Sequence, residues 1–241
     1  DIAVLNSDQV SSLSATQVQA FTTAQVEKLN TGVIAGLSNT QVDALSTAQV
    51  VALTTAQVGS LTAGSVTALS SGQVAALTNG QLGALSTSQV QAIETGDVAA
   101  MSTAQVNALS TTQVGALTTG QVAGLTTTQV SSLANPKLQA VSTAGIAALT
   151  SDQVVSLTTA QVAAVTTTQL QALTVGSVNA MTTTQVTALG VSQVASLTTG
   201  TVTALSSDQI ASLTTTQVGA LTTTQVAAVK ADQVVALTTA Q

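Results

Sequence analysis

The chain of 241 residues contains no His, Cys, Trp, Tyr or Arg, and it has one Phe, one Pro and three Lys. Without His or Cys it has no imidazole base, no thiolate nucleophile, none of the usual zinc ligand sets and no disulfide. Charged residues make up 5% of the chain, against about 25% in an ordinary globular domain. We therefore expect no enzymatic activity, no catalytic, cofactor-binding or metal-binding residues, and no small-molecule substrate.

The small number of charged and aromatic residues also limits which partners the chain can bind. Lys28, Lys137 and Lys230 cannot form a basic patch, and the chain has no aromatic platform, so we expect no binding to nucleic acid. No apolar run approaches the length of about 18 residues that indicates a membrane span. Hydrophobic residues nevertheless make up 45% of the chain, which argues against disorder.

What the chain does contain is an eight-residue repeat. An apolar residue, mostly Leu, recurs every eight residues from Leu5 to Leu237, and a second apolar series runs from Ile2 to Val234. A small residue precedes almost every Leu, so the consensus octad is Leu-[Ser/Thr]-[Thr/Ser]-x-Gln-Val-x-Ala, without insertion or deletion. A fixed short period is typical of a solenoid. We predict one continuous octad-repeat solenoid over residues 1–241.

The two ends carry the same pattern as the middle. Asp1 and Gln241 occupy the same octad position, and neither terminus has the polar capping unit that a free-standing solenoid normally carries. We expect the chain to be a window of a longer array or a filament subunit.

The octad spacing favours a helix that begins anew in each repeat. A strand requires period two, and one long helix would wind the Leu series around its surface, because eight residues advance about 80° beyond two turns. In the octad that begins at Leu221, Thr222 and Gln225 match the N-cap and N3 residues of a capping box, and Leu221 and Val226 match a hydrophobic staple. The predicted class is all-α, a solenoid of short helices restarted every eight residues.

Residues that depart from the consensus octad also fit these predicted helix starts. Pro136 falls in a predicted first turn, where its missing N–H costs little, and four carboxylates fall where the helix dipole favours them: Asp8, Asp152, Asp208 and Asp232. The rich content of Thr and Val leaves an alternative, a β-solenoid with two octads per coil.

The number of octads in a coil is open. Gly32, Gly64 and Gly96 lie 32 residues apart in octads that have lost the Gln, which suggests a coil of two or four octads. Drift during tandem duplication explains the same pattern.

Few residues suggest chemistry. Glu94 and Asp97 are the closest carboxylates, but they have no further acidic neighbours, so we interpret them as a polar substitution at an octad junction. Met101 and Met181 occupy Leu positions and are expected in the core, and Lys137 is expected to be a solvated charge.

Two runs carry a resemblance to known arrays. Residues 117–130, LTTGQVAGLTTTQV, and residues 213–226, LTTTQVGALTTTQV, resemble the LTTAQVAAL arrays of very large surface or secreted proteins of proteobacteria. Such proteins are often called adhesin-like or haem-utilisation-like, and the resemblance implies an extracellular or cell-surface fibre or adhesin stalk. No His or Tyr is present to serve as an axial haem ligand, so no haem cofactor is expected.

The function predicted first is structural, an extracellular filament, fibre or adhesin stalk formed by self-association of stacked octads. The alternative is a Thr-rich repetitive binding surface for ice or for surface adhesion.

Overall fold

The structure is a computed structural model that describes residues 2–241, so Asp1 lies outside the described residues. Residues 2–241 form 29 short α-helices and one 3-10 helix, and they contain no β-strand. The predicted all-α solenoid of short helices is confirmed, and the alternative β-solenoid is wrong. Thr and Val favour strands, but side-chain capping at most helix starts and burial of the apolar series outweigh that preference.

The helices recur at the octad spacing, and their bounds are as follows. The 3-10 helix spans Ile2–Val4, and the first fifteen α-helices are α1 Ser7–Ser11, α2 Ala15–Gln19, α3 Thr23–Lys28, α4 Thr31–Ala35, α5 Asn39–Asp43, α6 Thr47–Ala52, α7 Thr55–Ser60, α8 Ala63–Thr67, α9 Ser71–Ala76, α10 Asn79–Ala84, α11 Thr87–Ala92, α12 Thr95–Ala100, α13 Thr103–Ala108, α14 Thr111–Gly115 and α15 Thr119–Gly124. The others are α16 Thr127–Ser132, α17 Asn135–Ala140, α18 Thr143–Ala147, α19 Ser151–Ser156, α20 Thr159–Ala164, α21 Thr167–Ala172, α22 Val175–Ala180, α23 Thr183–Thr187, α24 Val191–Ser196, α25 Thr199–Ala204, α26 Ser207–Ala211, α27 Thr215–Gly219, α28 Thr223–Ala228 and α29 Ala231–Val235.

Two extended residues make the corner between successive helices. Between α6 and α7, Leu53 has φ −61° and ψ 135°, and Thr54 has φ −68° and ψ 159°. Any L-residue adopts these angles, and no residue in the described range 2–241 has a positive φ. Leu and Thr can therefore occupy every corner, which explains why the repeat needs no conserved turn glycine.

The predicted helix starts are confirmed in detail. The four carboxylates expected in first turns lie there, and Pro136 lies in the first turn of α17. Helices of five or six residues are too short to be stable alone. Their stability must come from packing against other octads.

The chain divides into two compact units between Leu125 and Thr126. Within each unit a helix packs against the third helix after it, as α4 does against α7 and α19 does against α22. The structure therefore contradicts a coil of two octads. The helix-to-helix packing spans three octads.

Both apolar series form the core of each unit. In α7 the side chain of Val58 is fully buried, and Leu61, at the following corner, is 5% exposed. Met101 and Met181 are each 4% exposed at Leu positions, so their predicted place in the core is confirmed. None of the helices in residues 2–241 is long and apolar enough to cross a membrane.

Candidate functional site

The Gln of the octad closes a capping box at the start of most helices. At α7, Gln57 N–H donates to Thr54 Oγ1 at 3.2 Å, and Thr54 N–H donates to Gln57 Oε1 at 2.7 Å. The two residues thereby satisfy two of the backbone N–H groups that a helix start leaves without partners. The box that the sequence predicts at Thr222 and Gln225 is present with the same geometry.

The amide nitrogen of the same Gln bonds to a different part of the chain. Gln57 Nε2 donates to the carbonyl oxygens of Val26 at 2.9 Å and Leu29 at 2.6 Å. These acceptors lie 31 and 28 residues earlier, at the Val position of the fourth preceding octad and at the Leu position that begins the third. One side chain therefore caps its own helix and binds the backbone of another octad.

These bonds recur throughout both units, and we call the series the glutamine ladder. Its members each donate to the carbonyls 28 and 31 residues earlier: Gln41, Gln49, Gln57, Gln73, Gln81, Gln89, Gln105, Gln113, Gln121, Gln161, Gln169, Gln185, Gln193, Gln209, Gln217, Gln225 and Gln233. Their side chains are 1% to 6% exposed. Since a buried amide without partners costs about 1–3 kcal/mol, full pairing at every rung holds the octads in one register.

A second set of bonds connects octads three places apart. Thr67 Oγ1 donates to Ala92 O at 3.0 Å, and Gln171 Nε2 donates to Ser196 O at 2.8 Å, each 25 residues further along the chain. Thr67 and Gln171 thus bond to the third following octad, whereas a ladder Gln such as Gln57 bonds to carbonyls three and four octads earlier. One coil therefore contains between three and four octads.

The ladder leaves unused donors at the N-terminal end of the first unit. Gln9, Gln17 and Gln25 accept the N–H of their own N-cap residue, but in residues 2–241 their Nε2 atoms have no carbonyl partner. We call this surface the donor face.

The other end of the ladder leaves unused acceptors in the second unit. The carbonyls of Leu221, Val229 and Leu237 receive no Gln amide from the described part of the chain, and Val226 and Val234 are 55% and 52% exposed. The equivalent Val58 is fully buried. We call this surface the acceptor face.

The two carboxylates singled out from the sequence lie in different surroundings. Glu94 is the exposed N-cap residue of α12 and makes no side-chain capping bond. Asp97 occupies the N3 position, where Gln stands elsewhere, and is only 4% exposed. Its Oδ1 accepts a hydrogen bond from Ser71 Oγ at 2.5 Å, whereas its Oδ2 has no hydrogen-bond partner within residues 2–241. Nothing in the sequence indicates this burial, because most residues at the N3 position are polar.

The structure also shows where Lys137 and the remaining acidic residues lie. Lys137 is half-buried at the N3 position of α17, rather than on a fully solvated face. In the described part of the chain no three His, Cys, Asp or Glu side chains come together.

The Thr hydroxyls fall into two groups. Those at N-cap positions accept helix N–H groups, whereas those at the next two positions are mostly exposed. In α23, Thr183, Thr184 and Thr187 line an open hollow of about 440 Å³ together with Ala188 and Ser212.

The comparisons with known proteins agree with the repeat architecture. The model of the ALTTAQ repeat matches five segments, residues 28–63, 90–127, 137–167, 166–199 and 196–223. No curated protein matches the chain. The matched segments cover more than half of the sequence and share its octad, so the chain is a repetitive structural protein that belongs to the ALTTAQ repeat family.

Proposed function

We propose that the chain is a segment of an extracellular filament, fibre or adhesin stalk, with a structural rather than a catalytic role. The observation that carries this proposal is the direction of the glutamine ladder. Every rung points from a Gln amide to carbonyls earlier in the chain, so the donor face and the acceptor face are complementary. The proposed assembly stacks these faces, whether the covering octads belong to the same chain or to a second copy.

Complementary donor and acceptor faces favour open growth. A head-to-tail contact uses two different surfaces, and when its rotation does not close a ring it generates a filament. Stacking covers the exposed Val226 and Val234 and supplies Gln amides to the free carbonyls of the acceptor face. It uses the same contacts that stabilise the interior of each unit.

The proposed location outside the cell rests on the sequence. Its octads resemble those of surface-protein arrays, and three Lys with no Arg offer few sites to proteases that cut after basic residues. Antibody labelling of intact, unpermeabilised cells checks this location. Labelling that requires permeabilisation contradicts it.

Exposed hydroxyls support the second candidate function, a Thr-rich surface for ice binding or adhesion. The exposed Thr183 and Thr184 lie in α23, and Thr215 and Thr216 occupy the same positions in α27. A thermal-hysteresis assay tests ice binding directly. Ice growth unaffected by the protein excludes it.

The filament proposal is tested by changing the acceptor face. We expect the chain to form concentration-dependent filaments in electron microscopy, and the double variant Val226→Asp, Val234→Asp to stay monomeric with unchanged far-UV circular dichroism. Both residues are already half-exposed, so the folded unit tolerates the charges. The matched control is Val175→Asp, Val191→Asp, because these side chains are 51% and 46% exposed in interior octads. A wild-type chain that stays monomeric at its highest soluble concentration overturns the proposal.

A further inference from the structure

The residue that ends an octad contacts the coil before it, in addition to the glutamine ladder. Ser60 Oγ donates to Thr31 O at 3.1 Å, and the carbonyl belongs to the residue 29 positions earlier. In the second unit Ser212 Oγ donates to Thr183 O at 3.5 Å with the same spacing. Thr31 and Thr183 each begin a helix. Within each unit, the end of one octad therefore lies against the first helical residue of an earlier octad.

The octads of the donor face do not have this cover. Ser12 and Ala20 end octads on that face, and both are exposed. Ala52 and Ser60 have the same octad position further along the first unit, and both are half-buried. The donor face therefore exposes small residues that another coil covers elsewhere in the unit.

The acceptor face exposes the opposite side of the same contact. Val235 is 85% exposed, whereas Val51 and Val155, at the same octad position inside the units, are 45% and 41% exposed. Inside the first unit this position lies against a later octad, because a Cβ at Gly59 would be 3.2 Å from the carbonyl oxygen of Ala84. Each face therefore exposes a surface that inside a unit is covered by another coil.

The spacing of these contacts determines how a second copy fits. When Ile2 of the second copy takes the ladder position that follows Gln241 of the first, the octads of both copies continue in phase. The spacings of 28 and 31 residues then assign Gln17 of the second copy to the carbonyls of Val229 and Val226. The complete set pairs the amides of Gln9, Gln17 and Gln25 with the carbonyls of Leu221, Val229 and Leu237, in that order.

We propose that the acceptor face binds the donor face of a second copy of this chain in this one register. The inference rests on the proposed filament and adds which residues meet. The 29-residue spacing places Ala20 of one copy against Ala231 of the other, and Ser12 against Thr223. A second copy displaced outward by one octad pairs fewer rungs, and a displacement by less than an octad pairs none. The register with all three rungs is therefore the most stable one.

Introduced thiols test this register directly, because the chain contains no Cys. The variant Ala20→Cys, Ala231→Cys places two thiols at the 29-residue spacing. At that spacing inside the first unit, a Cβ at Gly124 is 3.6 Å from Thr95 Cβ, and a disulfide requires Cβ atoms about 3.5–4.5 Å apart. With oxidised glutathione as the oxidant, we expect covalent dimers, trimers and longer oligomers on a non-reducing gel, all of which a thiol reductant removes.

Two further cysteine pairs serve as controls. Ala20→Cys, Thr223→Cys moves one thiol by one octad, and it should give no more covalent oligomer than Ala20→Cys alone. Thr95→Cys, Gly124→Cys should form a disulfide within one chain under the same conditions. If this last pair stays reduced, the spacing that defines the register is wrong and the proposal is overturned.

A charge on the donor face provides a second test. Gln17→Glu keeps its capping acceptor but sets a carboxylate against the carbonyls of Val226 and Val229, so the concentration needed for assembly should rise about tenfold or more. The matched control is Gln19→Glu, which adds the same charge at an exposed position of the same helix outside the ladder. It should change that concentration by less than about twofold. Equal effects of the two substitutions in sedimentation assays overturn the proposal.

The outcomes separate this interface from the filament itself. Covalent oligomers of Ala20→Cys, Ala231→Cys without long filaments in electron microscopy support the interface and contradict the filament. Filaments in which this pair does not cross-link, or in which the pair with Thr223→Cys cross-links equally, overturn the register while the filament proposal stands. A chain that forms neither oligomers nor filaments overturns both.

Discussion

Replacing Gln81 by Glu tests the glutamine ladder with little change of shape. Gln81 is 1% exposed, its Oε1 accepts Thr78 N–H at 2.8 Å, and its Nε2 donates to Val50 O at 2.8 Å and Leu53 O at 2.7 Å. Glu keeps the capping acceptor, since Ser/Thr-x-x-Glu is an equally good capping box. It removes both donated bonds and places an acceptor against two carbonyls.

The expected cost follows from those two bonds. Leaving a buried partner unsatisfied costs about 1–3 kcal/mol, so two carbonyls give roughly 2–6 kcal/mol. Burial of the new charge adds to this cost. We therefore expect Gln81→Glu to lower the free energy of unfolding by about 4 kcal/mol or more.

The matched control is Gln17→Glu. Gln17 has the same capping bond, with Ser14 N–H donating to its Oε1 at 2.8 Å, but its side chain is exposed and belongs to the donor face. We expect a change within about 0.5 kcal/mol, because the local box is kept and a carboxylate is favoured in the first turn.

The measurement combines urea unfolding followed by circular dichroism with hydrogen exchange of the peptides around Val50 and Gln81. Exchange is needed because a repeat protein can open locally while the other octads stay folded. Equal effects of the two substitutions would refute the ladder as a source of stability. If the amides around Val50 stay protected from hydrogen exchange in the Gln81→Glu variant, that result would also contradict the ladder as a source of stability.

Three further predictions concern caps, glycines and core. Thr54→Ala should lower the stability by about 1 kcal/mol because it removes an N-cap acceptor, whereas the exposed Thr55→Ala should change it little, as urea unfolding will show. Gly83→Ala should raise the stability by about 0.5–1 kcal/mol, since a Cβ at this position meets no atom within 4 Å. At the equivalent Gly59 a Cβ lies 3.2 Å from a backbone oxygen, so the same substitution there should bring no gain in stability. Leu117→Asp should cost more than about 4 kcal/mol and lower the helical circular dichroism, because Leu117 is 6% exposed; a wild-type melting curve for this variant would contradict the proposed core.

The sequence predicts what four or five consecutive residues decide. The capping box at Thr222 and Gln225 follows from spacing alone, because both partners belong to one helical turn. Burial of Leu109 and Met101 follows equally, since each octad has a single apolar stripe. Thus helix starts, helix length and core residues were predictable.

The connections between coils were not predictable from one octad. The rotation between successive helices depends on corner angles and on packing, and it sets whether Gln81 meets Leu53 or another octad. From the sequence, Gln is therefore assigned only its local capping role. From the sequence, Asp97 is likewise interpreted only as a polar substitution at an octad junction, because a side chain that both caps a helix and crosses the coil has the same polar character as one that only caps.

The glutamine ladder has a consequence for how such a gene can change. Each ladder Gln bonds to carbonyls three and four octads earlier, and because these carbonyls recur in every octad, no rung depends on one particular partner in the chain. If recombination adds or removes a whole octad inside either unit, every rung forms again with a new partner of the same kind. The loss of a single residue, by contrast, disturbs all rungs that span it. The array can therefore gain or lose whole octads during evolution while its octads keep the same fold and the same kind of contacts.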